Sequence, residues 1–129
     1  MRVLYTDGSH NHGVSGWAIV EDMECIYQNW GRGLTSNIAE GLAILQALKM
    51  VQGDKALILS DSLAWVKALT DLKPIKGKGA KEIYEQAAPL LRPNIQLRWV
   101  PSHTDYLPGN ELADEYASQA RHCRISTEP

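Results

Sequence analysis

Long apolar runs are missing from this sequence. Its unbroken apolar stretches are a handful of residues, far short of the about 20 that carry a helix across a bilayer. The opening MRVLYTDGSH holds no apolar region of about 7–15 residues followed by a cleavage site. Membrane insertion and secretion are therefore not expected, and a cytoplasmic location is. Cysteine is scarce as well: Cys25 and Cys123 are the only two, far apart and without metal-ligand spacing, so free thiols are expected rather than a disulfide framework or a thiolate metal site. Positive charge is not in excess. Thirteen Lys and Arg against 15 Asp and Glu give a net charge of −2, with a pI near 6.1, so bulk positive potential cannot grip nucleic acid and only a local basic patch could. Low-complexity tracts and repeats are absent too, and the sole linker-like stretch is DLKPIKGKGAK at 71–81.

What is present is enough for one core. At 129 residues and 44% hydrophobic content, residues 1–129 are expected to form a single domain. Strand-like patterns cover 2–6, 16–20 and 24–30, opening an antiparallel meander. SNIAEGLAILQALKMV places Ile38, Leu42, Leu45 and Leu48 at helical spacing, with Ser36 or Asn37 as N-cap and Gly53 as the stop. KALILS at 55–60 reads as a strand covered on both faces, SLAWVKAL as a helix, EIYEQAAPLL as a helix cut short by Pro89, IQLRWV as a strand, and NELADEYASQARHC as a closing helix. The order suggests an α/β fold, a mixed sheet with helices on both faces.

Four acids stand out against that outline. Asp7 follows VLYT and Asp61 follows LILS, so two strands deliver an Asp at their carboxyl ends, the edge where α/β sheets build sites. Glu40 and Asp114 are expected in the first turns of their helices. Each has a purely structural explanation: Asp7 a turn former before Gly8, Asp61 an N-cap, Glu40 the capping-box partner of Asn37, Asp114 an acid favoured by a helix dipole. Four converging acids would repel one another unless a cation or proton compensates. All-oxygen ligation suits Mg²⁺ or Mn²⁺ rather than zinc, and the chemistry it favours is phosphodiester hydrolysis.

YTDGS with GWAIV, TSNIAEGLAILQAL, LSDS and WVPSHTDYLPGNELADEYA, in that order over nearly the whole chain, resembles the type 1 ribonuclease H family. The resemblance implies a five-stranded mixed sheet flanked by helices and metal-dependent cleavage of the RNA strand of RNA–DNA hybrids. Its catalytic acids fall on Asp7, Glu40, Asp61 and Asp114, with Asp7 bridging two Mg²⁺ ions, Mn²⁺ a substitute, and 5′-phosphate and 3′-hydroxyl product ends. The same likeness gives His103, in PSHTDYLPGNE, the role of a mobile proton carrier. It places Ser9, Ser36, Asn37 and Glu40 at the minor groove and Thr35 at a DNA phosphate, while Asn110 matches a residue near the catalytic loop. A monomer is expected, with no obligatory protein partner and no membrane. A same-fold nuclease acting on double-stranded RNA, or a non-catalytic nucleic-acid-binding module, is the alternative; four acids facing phosphates argue against a mere binder.

Two departures from the family pattern stand out. HNHGVSG after the first motif is shorter than the usual turn, and the interval from Asp61 to Trp99 has no room for the basic helix some bacterial members carry. Lys73, Lys76, Lys78 and Lys81 fall in the corresponding region. His10 and His12 are read as surface residues outside any metal site. Of the four tryptophans most read as core, with Trp65 the candidate surface contact.

Overall fold

The structure, a computed structural model, describes residues 1–102 and 108–128. Three strands open it as a meander: β1 (Arg2–Asn11), β2 (Val14–Glu21) and β3 (Glu24–Arg32). Both hairpin turns put two consecutive residues at positive φ, His12 at 48° with Gly13 at 75°, and Asp22 at 53° with Met23 at 64°. That backbone twist matches the twist of the flanking strands. β1 is longer than its apolar pattern suggests. Its antiparallel register with β2 continues through Asp7↔Ala18 and Gly8↔Trp17 to Asn11↔Val14, so Asp7 lies inside a strand and the turn comes five residues later, at His12–Gly13.

Helix α1 (Ser36–Met50) leads to β4 (Ala56–Ser60), followed by α2 (Leu63–Thr70), α3 (Ala80–Ala87), β5 (Ile95–Trp99) and α4 (Pro108–Cys123). A short 3₁₀ turn over Ala88–Leu90 takes the place of the last turn of α3, at Pro89. The sheet order is β3-β2-β1-β4-β5, with β1–β4 and β4–β5 parallel. The α1 N-cap is Thr35, whose side chain accepts from the Ile38 N–H at 3.2 Å, rather than Ser36 or Asn37.

Adjacent β1 residues show that the sheet is covered on both faces. A side chain at Gly8 would run into α1, whereas Ser9 meets Ser118 of α4, and successive strand residues point to opposite faces. The α1 face holds the main core, including Leu4, Ile19, Ile44, Leu48, Ile58, Trp65 and Leu69. The α4 face is thinner, closed by Ala113, Ala117 and Ala120 at helical spacing. Trp65 is 0% exposed, which removes it as a surface contact: Gly41 leaves room for its ring against α1, and its Nε1–H donates to the Asn37 carbonyl at 2.6 Å. Trp99, at 45% exposed, is the tryptophan that faces outward. Among the described residues no helix is long and apolar enough to cross a membrane, and both cysteines are free.

Candidate active site

The parallel ladder between β1 and β4 ends at Thr6↔Ser60. Asp7 is the next residue of β1 and Asp61 the first after β4, so the chain sets the two carboxylates side by side where the shared hydrogen bonding stops. Glu40 arrives from α1, and Gly8 is the reason it can. A Cβ at Gly8 would lie 2.7 Å from the Glu40 nitrogen and 2.9 Å from the Ala39 Cβ, closer than real side chains come. The glycine after Asp7 therefore serves close helix approach and not a turn. One carboxylate oxygen each of Asp7, Glu40 and Asp61 lies within 4.8 Å of the others.

Helix bounds correct the expected turn positions. Glu40 is the fifth residue of α1 and Asp114 the seventh of α4, so both belong to second turns, and neither first-turn dipole nor capping box explains them. Asp61 is not a cap either, because Ser62 caps α2 by accepting from the Trp65 N–H.

Asp7 is 3% exposed, and the Gly8 N–H donates to its Oδ1 at 2.8 Å. Burial pushes its carboxyl far above the usual range, with the Glu40 and Asp61 charges, the Glu40 hydrogen bond and the Asp114 charge acting in the same direction. Burial raises Glu40 as well, reinforced by the Asp61 and Asp114 charges and partly offset by hydrogen bonds from Asp7 and the Gly8 N–H. Without a cation, such a cluster retains protons. The Glu40 Oε2 is buried with no hydrogen-bond partner among the described residues, an open acceptor in a group made only of carboxylate oxygens. That donor set fits a hard divalent cation.

Asp114 stands beside the trio. With Asp61, Asn110, Glu111 and Glu115 it lines a cavity of about 70 Å³, and its charge is felt by both Asp7 and Glu40. Asn110 is 2% exposed, and its Oδ1 has no partner among the described residues. Glu111 and Glu115 join the wall of the site without having stood out in the sequence. A signal for them exists there, since Glu111 lies three residues before Asp114 and Glu115 four after Glu111, spacings that put helical neighbours side by side.

The other expected contacts are spread along the rim. Ser9 is half-buried, two residues beyond Asp7, and held by Ser118 and Arg121. Thr35 and Ser36 are exposed and Asn37 half-buried at the start of α1, with the Thr35 hydroxyl engaged as the cap. Lys78 shares a surface hollow with Gly33, Leu34, Thr35, Ile38 and Gly79. His10 and His12 are exposed and stand outside the carboxylate trio. His103 lies outside the described residues.

The RNase H family model matches residues 1–122. A curated ribonuclease H from Dichelobacter nodosus is 28% identical over 137 aligned residues, covering 91% of this chain and 89% of its own length. The crystal structure of RNase H1 from the archaeon Halobacterium salinarum aligns at a TM-score of 0.68 with 25% identity, covering 92% of this chain and 96% of that one. LC11-RNase H1, from a protein isolated from compost by a metagenomic approach and crystallised in complex with RNA/DNA hybrid, aligns at 0.73 with 22% identity, covering 98% of this chain and 100% of that one.

Proposed function

The chain belongs to the RNase H family, and from that membership we propose that residues 1–129 act as one catalytic domain, a monomer, hydrolysing the RNA strand of RNA–DNA hybrids. The observation that carries this reading is the trio of buried Asp7 with half-buried Glu40 and Asp61, whose oxygens lie within 4.8 Å of one another, together with an acceptor on Glu40 that has no partner among the described residues. Concentrating unneutralised acid in a protein core is costly, so it calls for a function that uses it. Mg²⁺ is the proposed cofactor, two ions per site, with Mn²⁺ able to substitute. The chemistry bound ions supply is a nucleophilic water at neutral pH and charge to neutralise the leaving oxygen.

The residues divide the remaining work. Asp7, least exposed of the trio, would hold the ions together with Glu40 and Asp61, and Asp114, from the cavity wall, would complete the set of carboxylates. Asn110, in the same wall, matches a residue near the family's catalytic loop. His103, which precedes α4 in the sequence, would carry protons to or from the departing oxygen, and the products would end in 5′-phosphate and 3′-hydroxyl. Ser9, Ser36 and Asn37 read the minor groove, where the 2′-hydroxyl distinguishes RNA from DNA, and Thr35 meets the DNA strand. The nucleic-acid complex of LC11-RNase H1 supports hybrid as the substrate class ahead of double-stranded RNA.

A cleavage panel tests the reading. Hybrid, double-stranded RNA, double-stranded DNA and single-stranded RNA of matched sequence are incubated with the protein and Mg²⁺. Cleavage confined to the RNA of the hybrid is expected; preferential cutting of double-stranded RNA would establish the alternative, and no cutting of any substrate would leave a binding module.

A further inference from the structure

Helix α4 changes character along its length. Its first half carries Glu111, Asp114 and Glu115 beside the carboxylates, whereas its end carries Arg121 and His122, with Arg124 just beyond. Where that end crosses the sheet, the strands line up one rung, Ser9↔Gly16 and Gly16↔Trp30. Gly16 makes the crossing close. A Cβ there would strike the Ala117 carbonyl and lie 2.6 Å from the Arg121 nitrogen, so the helix rests directly on β2. The consequence is that one arginine reaches each end of the rung. The Arg121 Nε–H donates to the Ser9 hydroxyl at 3.1 Å, and the Arg124 guanidinium lies 5.6 Å from the Trp30 ring centre. Arg32, two residues from Trp30 on the same strand, sits 5.9 Å from that ring.

None of the three guanidinium groups has a carboxylate within 4 Å among the described residues; the ion pairs found there belong to Arg2 and Lys81. In a chain of net charge −2, three uncompensated arginines on one face are a local reversal of sign. They are also held in place, by a serine hydroxyl and by an indole face, so less side-chain freedom is lost when an anion arrives. Ser9 shares a strand and a face with Asp7, about 7 Å along at two residues of strand rise. A phosphodiester strand whose reacting phosphate lies at Asp7 can run over Ser9 onto this surface.

We infer that Arg121, Arg124 and Arg32 form a phosphate-binding track for the strand that is cut, continuing it from the carboxylates across the end of α4. The inference rests on the proposed hybrid substrate. Arg121 reaches the strand beside Ser9, and the Trp30-stacked pair holds it further out.

The test is equilibrium binding of a fluorescent hybrid to Asp7→Asn protein, which does not consume the probe, as a function of salt. Replacing Arg32, Arg121 and Arg124 together by Gln should reduce the slope of log K against log salt by roughly 2–3, at about 0.9 per neutralised phosphate. The corresponding triple Lys variant should keep most of the slope, separating charge from folding. Arg92→Gln, on an exposed residue before β5 at the opposite end of the sheet, is the control and should leave affinity and slope unchanged. A triple Gln variant that melts like its parent and keeps the parental slope overturns the track. Failure of wild-type protein to cut hybrid would instead overturn the proposed activity, and the binding slope would still decide the track.

Discussion

With Asp7 3% exposed and Glu40 beside it, the metal-free protein carries two acids whose proton affinity is set by the fold. In the unfolded chain they titrate near 3.8 and 4.5; in the folded protein both are raised. Across that interval the folded state holds more protons than the unfolded state, so stability is greatest at low pH and falls as pH rises. The melting temperature in a chelator is therefore expected to drop from about pH 5 to about pH 8. Saturating Mg²⁺ should restore it, by about 2.7 kcal/mol at one hundred times Kd for a single site, and Asp7→Asn should flatten the pH dependence. A chelated protein that grows more stable over the same interval would contradict raised proton affinity at Asp7 and Glu40. If His103 carries protons as proposed, His103→Ala should slow single-turnover cleavage by ~10²–10⁴-fold without abolishing it. Inactivity as complete as that of a carboxylate variant would mean His103 does more than move protons.

At the scale of elements, the sheet and its helices were legible because apolar periodicity differs between strand and helix, and β3, β4, β5 and α1 lie close to where that periodicity puts them. β1 was not. Asp7-Gly8 has the composition of a turn, but turn propensity is local and yields to a partner strand that keeps offering hydrogen bonds out to Val14. The residue pattern marked Asp7 and Asp61 as strand-end acids and Glu40 as a helix acid, and the family resemblance, not periodicity, joined them in one site. That Gly8 lets Glu40 approach is a packing fact between residues 32 positions apart, which periodicity does not record. Trp65 shows the same gap, since the space it fills is made by Gly41 on another helix. Gly8→Ala tests the approach directly. Its Cβ would lie 2.7 Å from the Glu40 nitrogen, so α1 must shift, and a loss of about 1–3 kcal/mol in stability is expected from overpacking. Cleavage should fall further than stability explains, measured at a temperature where both proteins are folded. Unchanged activity would detach Glu40 from its present position.

The whole molecule combines a net negative charge with a polyanionic substrate, so binding must come from placed cations. The 71–81 stretch supplies four of them. Lys73, Lys76 and Lys78 precede α3, and Lys81 lies near its start, 3.9 Å from Glu85. Only Lys78 reaches the hollow beside Thr35. If these lysines meet phosphates, the fourfold Gln variant should raise KM for hybrid and flatten its salt dependence, by roughly 0.9 in slope for each phosphate no longer neutralised. A KM and salt slope equal to wild type would make the stretch a solvated loop.

On the proposed function, Asp7, Glu40 and Asp61 are brought together to hold divalent cations for strand cleavage. The most direct test of that claim is the Mg²⁺-dependent cleavage rate of an RNA–DNA hybrid by wild-type protein and by Asp7→Asn, with circular dichroism confirming that both are folded. Asp7→Asn loses charge with little change in volume, so a folded variant with no detectable cleavage, beside a wild type that requires the metal, is expected. A folded Asp7→Asn that cuts hybrid at the wild-type rate would contradict the claim.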